Sequence, residues 1–164
     1  MKVLSTPFDG VFLIEPKTFI DGREKQRIVQ LINKKGLSNK FHFLGSFPPE
    51  QMPEYFACAD ALLITLKKAE IFSYTIPGKL QSYLACGKPI VGALGGIGKR
   101  IIEESKSGFC TDAENATELA KLFLNLSRLP KDEIDNFSEN ARSYFNDNFA
   151  KDKLLLDLEK IFNT

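Results

Sequence analysis

Residues 75–98 read TIPGKLQSYLACGKPIVGALGGIG, and the fold turns on how this stretch divides. Pro77 is preset for the first turn of a helix, where its missing N–H costs no hydrogen bond. PGKLQSYLACG (77–87) is therefore read as a helix. KPIVGAL (88–94) follows as an apolar run of strand length, with none of the polar alternation of a half-exposed strand. GKRIIEESKSG (98–108) returns to a helical pattern and closes in glycine. Helix, buried strand and helix in direct succession imply crossover connections, and crossovers join parallel strands.

The flanks repeat the pattern. ALLITL (61–66) is a strand almost free of polar residues, and GFC (108–110) and FHFLG (41–45) are short strands. DGREKQRIVQLINKKG (21–36) places Ile28, Leu31 and Ile32 at helical spacing before a glycine stop. PEQMPEYFACAD (49–60) opens with prolines and carries Met52, Tyr55, Phe56 and Ala59 on one side. Strand and helix in alternation give an α/β class: a Rossmann-like three-layer αβα domain around a parallel sheet. From Asp112 onward the strands cease. Asp112 is expected to cap a helix holding Leu119, Leu122 and Phe123. After the turn LSRLPKDE comes a stripe of Ile134, Phe137, Ala141, Tyr144 and Phe145, then a last helix, KDKLLLDLEKIF.

Composition narrows the function. A chain of 164 residues, 43% hydrophobic and 26% charged, suffices for one core without disulfides or a structural metal. Cys58, Cys86 and Cys110 are widely spaced and odd in number, so they read as buried small hydrophobes in a reducing compartment. A net charge of +1 with scattered basic residues argues against a nucleic-acid partner. No apolar run approaches the roughly 20 residues of a membrane span, and MKVLSTPFDG lacks the features of a signal peptide. The expected location is the cytoplasm. His42, the one histidine, alternates with Phe41 and Phe43 and has no triad spacing around it. Glu103 and Glu104 read as a solvated helix face, and no metal site is evident.

Ligands of open parallel sheets gather outside the carboxyl ends of the strands. Two loops here lead from such ends into helices. The first, ITLKKAEIFSYTIPGK, ends at a helix mouth where amide N–H groups can hold phosphate oxygens and Lys79 adds a full charge. The second, GALGGIGK, offers Gly95, Gly96 and Gly98, which allow a backbone to approach a ligand closely. It matches neither the dinucleotide nor the Walker glycine pattern. Together the loops point to a phosphate-bearing ligand.

FIDGREKQ (19–26), FHFLGSFPPEQMPEYFACADALLITLKK (41–68) and TIPGKLQSYLACGKPIVGALGGIGKRIIEESKSG (75–108) together resemble the C-terminal, donor-binding half of retaining GT-B glycosyltransferases of family 4, also called group 1. The resemblance runs from about Thr18 to the end and is most specific from Phe41 to Gly108. It is nearest to bacterial transferases of O-antigen and capsule synthesis, many of which move N-acetylated amino sugars. It implies a nucleotide-sugar substrate, with UDP-sugar the first expectation, and no cofactor or metal. By position, Leu44, Gly45 and Ser46 would lie near the base. Tyr74, Thr75, Ile76, Lys79 and Ser82 would hold ribose, diphosphate and sugar, with Gly95, Gly96 and Gly98 beside them. Lys79 would carry the catalytic charge at the leaving group, and Glu70 and Lys67 would stand near the sugar.

Two departures accompany the resemblance. Many members carry a pair of glutamates whose positions here are Tyr74 and Ser82, so a carboxylate grip on ribose is absent and a hydroxyl stands in its place. The members also have an N-terminal acceptor-binding domain and a glycine-rich opening to the donor half, which MKVLSTPFDGVFLIEPK does not reproduce. Residues 1–17 are left unassigned, as a truncated first βα unit, and 18–164 form the nucleotide-sugar domain. Its partners would be the missing acceptor domain and a glycan or lipid-linked acceptor, with membrane contact only through the missing half. The alternative reading is a non-catalytic scaffold of the same fold.

Overall fold

A computed structural model describes residues 12–13, 23–41 and 48–162. They divide into two compact units. One holds β1 (Phe12–Leu13) and the chain from Pro53 onward; the other holds α1 (Arg23–Lys34) and a 3-10 turn, Pro49–Gln51. The boundary expected at residues 17 and 18 lies outside the described residues, as do residues 42–47, which include His42 and most of the expected strand FHFLG. In α1, Ile32 is buried whereas Leu31 is exposed, and Gly36 follows in the left-handed region at φ 66°.

The larger unit is built on a parallel sheet in the order β1-β2-β3-β4, with β2 at Ala61–Thr65, β3 at Ile90–Ala93 and β4 at Gly108–Thr111. Leu62 to Thr65 pair with Ile90 to Ala93, and these with Gly108 to Thr111. All four β3 residues are buried. Val91 joins Ala61 and Leu126 in a cluster covered by Leu119, Leu122 and Phe123 of α6 (Ala116–Leu126). The next residue, Gly92, points to the other face, where an added Cβ would lie 2.9 Å from Ile102 of α5 (Gly96–Ser105). Helices therefore cover both faces, and the α/β Rossmann-like expectation holds.

The helix α4 (Gly78–Cys86) packs on β2 and on α7 (Lys131–Asn148). Leu80, Tyr83 and Leu84 are fully buried, each contributing about 1.5–3 kcal/mol by apolar burial. Tyr83 also meets Phe56 of α2 (Met52–Ala57) edge to face, with ring centroids 5.2 Å apart. A final helix, α8 (Lys151–Phe162), touches α7 but buries none of its residues, and its four leucines are exposed. No helix among the described residues is long and apolar enough to cross a membrane.

Three expectations are corrected. The loop after β2 contains a one-turn helix, α3 (Glu70–Ser73). Asp112 does not cap α6; Asn115 does, its Oδ1 accepting from the Glu118 N–H at 3.1 Å. Cys58 is exposed because it falls on the outward side at the end of α2, while Cys86 and Cys110 are only half-buried.

Candidate functional site at the carboxyl edge of the sheet

Parallel strands deliver their following segments to one edge, and here β2, β3 and β4 each lead into a loop and then a helix. After β2 the chain passes Lys67 and Lys68, makes α3, and enters α4 through Pro77, which is extended at ψ 125°. After β3 it enters α5 through Gly95, also extended. Neither Pro77 nor Gly95 supplies a side-chain cap, and neither first turn contains an acidic residue. The first amides of a helix have no intrahelical acceptor, so these two mouths present donors and partial positive charge.

Glycine brings the mouths together. Gly96 lies at φ 62°, and a Cβ there would collide with the backbone of Ser73 at the end of α3. Gly98 would meet Leu94 and lie 3.3 Å from Pro77 Cδ. The second loop is thus seated directly on the first, and any side chain at Gly96 would separate them. By contrast an added Cβ at Gly78 or Gly95 meets nothing within 4 Å among the described residues.

The residues expected to bind a donor are therefore largely neighbours. Tyr74 is 72% exposed and Ile76 is exposed beside it, with Ile71 and Phe72 extending an apolar ledge. Thr75 Oγ1 donates to the Ile71 carbonyl at 3.1 Å, which ties the segment to α3. Lys79 is the second residue of α4 and half-buried; Gly95 precedes α5, and Gly96 and Gly98 lie in its first turn, against Ser73 and Pro77. Ser82 lies one turn further into α4, where its hydroxyl donates to the Gly78 carbonyl at 3.4 Å. Glu70 opens α3 and is exposed. Leu44, Gly45 and Ser46 lie outside the described residues.

Two features of this edge were missed in the sequence reading. One is α3, too short to show a period. The other is the pair formed by Lys99 Nζ and Asp112 Oδ1 at 2.6 Å, which links the first turn of α5 to the segment after β4. The hydrogen bond to Asp112 raises the Lys99 ammonium above its usual range, and the same bond holds the Asp112 carboxyl below its own. The Asn115 cap was legible: NATE at 115–118 is the Asn-x-x-Glu pattern of a helix start. Burial pushes the Cys110 thiol up to about 11, which disfavours its thiolate. Among the described residues no group of His, Cys, Asp and Glu is arranged to hold a metal ion.

A doubly covered parallel sheet with two uncapped helix mouths at one edge defines a Rossmann-like half-domain. The model of the family described as glycosyl transferases group 1 matches residues 12–144, and the chain belongs to that family. Solved structures agree on the fold. Anabaena Alr3699/HepE in complex with UDP is 23% identical with a TM-score of 0.72, over 85% of this chain and 36% of that one. The same protein in complex with UDP-glucose gives 22% and 0.71 over the same shares. Sucrose-phosphate synthase from Thermosynechococcus elongatus gives 19% and 0.70, over 87% of this chain and 34% of its own. The chain thus spans about a third of the length of these structures. No curated protein sequence matches it significantly.

Proposed function

We propose that the chain is the nucleotide-sugar-binding half of a retaining glycosyltransferase, using a UDP-sugar. The observation that carries this reading is the seating of Gly96 against Ser73, which brings two uncapped helix mouths together. The HepE structures with UDP and UDP-glucose support the choice of nucleotide. In this reading the first-turn amides of α4 and α5 donate to the diphosphate oxygens, and Lys79 adds a charge that stabilises the departing nucleoside diphosphate. Tyr74, Thr75, Ile76 and Ser82 line the ribose and sugar, with Glu70 at the rim and Leu44, Gly45 and Ser46 toward the base.

The acceptor is a glycan or a lipid-linked sugar in surface-polysaccharide synthesis, of the O-antigen or capsule kind, and the transferred unit is a hexose or an N-acetylated amino sugar. An acceptor-binding domain closes over the site and aligns the attacking hydroxyl, so residues 18–164 alone bind the donor without turnover. The reaction takes place in the cytoplasm and uses no cofactor or metal.

Calorimetric titration of the chain with UDP, GDP and ADP tests this directly. UDP is expected to bind at micromolar to low millimolar strength. Lys79→Ala should weaken it about tenfold, the loss of a contact worth about 1.4 kcal/mol, with a thermal melt run beside it to confirm folding. Full UDP affinity in Lys79→Ala would remove that residue from the site. No heat with any nucleotide would favour the second reading, a non-catalytic scaffold, which draws support from Tyr74 and Ser82 standing where many members have carboxylates.

A further inference from the structure

The same edge of the sheet carries a charged cluster that the nucleotide reading leaves unused. Lys99 stands in the first turn of α5, the end of a helix where aligned peptide dipoles disfavour a cation. Its ammonium is held at 2.6 Å by Asp112, from the segment after β4. Two residues further on, Glu114 takes a positive φ of 67°. Its Oε1 accepts from the backbone N–H of Lys68 at 3.3 Å, in the segment after β2. One short acidic segment therefore engages the segments that follow β2 and β3. The Lys99 side chain is 29% exposed and that of Asp112 79%, so the pair is open to solvent.

We propose that Asp112 is a positioning residue for the anion site: by holding Lys99 it keeps that charge from the open mouths of α4 and α5, so that the first-turn amides and Lys79 alone grip a diphosphate. The inference rests on the nucleotide reading above. Phosphate oxygens and the Asp112 carboxylate are alternative partners for one ammonium. The carboxylate is covalently part of the chain and loses no translational freedom in binding, so it holds the lysine when both are present. A distinctive consequence follows: removing Asp112 strengthens anion binding, and does so only while Lys99 is there.

The test titrates the 164-residue chain with UDP and with inorganic pyrophosphate at low and high salt, for wild type, Asp112→Asn, Lys99→Ala and the double variant. Asp112→Asn should bind both anions about threefold more tightly, with a steeper salt dependence. Lys99→Ala should change affinity by less than about twofold, and the double variant should return to the wild-type value. A thermal melt of each variant separates folding from binding, and Asp112→Ser repeats the test if the Asn variant melts early. Unchanged or weaker binding by Asp112→Asn, with UDP still bound by wild type, overturns the inference and leaves the nucleotide reading intact. A gain that persists in the double variant also overturns it, since the effect would then bypass Lys99. If no form binds either anion, the nucleotide reading fails and the inference falls with it.

Discussion

The helices α4, α5 and α6 each follow a parallel strand and begin at the same edge of the sheet, yet they begin differently. The first turn of α6 is capped by Asn115 and carries Glu118, which answer the partial positive charge of the helix end. The first turns of α4 and α5 have no side-chain cap and no acid, and hold Lys79 and Lys99 instead. A fold selected only for stability would treat the three ends alike, because each cap and each carboxylate stabilises a helix at little cost. The edge is therefore divided, with uncapped helix ends after β2 and β3, as the proposed anion site requires, and a capped, acid-bearing end beyond β4.

The largest test of this division acts on the seam between the two open mouths. Gly96→Ala would drive a Cβ into the Ser73 backbone at a position already in the left-handed region. Backbone cannot step aside as a side-chain tip can, so a loss of about 2–3 kcal/mol is expected in chemical denaturation, together with loss of UDP binding. Gly78→Ala is the control, since its added methyl meets nothing within 4 Å. Equal stability in the two variants would show that the loops are not seated on each other.

The next test makes α4 resemble α6. Gly78→Asp puts a carboxylate into an open first turn and replaces a glycine with a residue of lower backbone entropy. Stability should rise by roughly 0.5 kcal/mol, while UDP affinity should fall at least about tenfold because the acid takes the place of the phosphate. Opposite signs in melting temperature and affinity are the signature sought. A variant that gains stability and keeps its affinity would place the nucleotide elsewhere.

Much of this edge could be read from the residues, for reasons that differ by element. Strands β2 and β3 were legible because burial on both faces leaves an unbroken apolar run, and α4 because Pro77 marks its entrance. The one-turn α3 was not, since four residues cannot display a helical period. Asp112 was read as a cap because it directly precedes a helical pattern; it faces Lys99 instead, and Asn115 makes the cap bond. Cys58 sits in an apolar run and is nonetheless exposed, because the run wraps around α2 and only one side of it meets the core. The glycines of the second loop were visible as letters. What one of them touches, the Ser73 backbone, depends on a contact between loops that no local pattern encodes.

The smallest effect belongs to the capped side and sharpens the division from its other half. Asn115→Ala removes the acceptor of the Glu118 N–H and should lower stability by about 1 kcal/mol, the usual cost of losing an N-cap, read from the denaturation midpoint. It should leave UDP affinity within about twofold of wild type, because in this account α6 is already neutralised by its own residues and offers nothing to a ligand. Weakening of UDP as large as that expected for Lys79→Ala would mean that the anion site extends across β4. The contrast between the open and the capped helix ends would then describe stability alone.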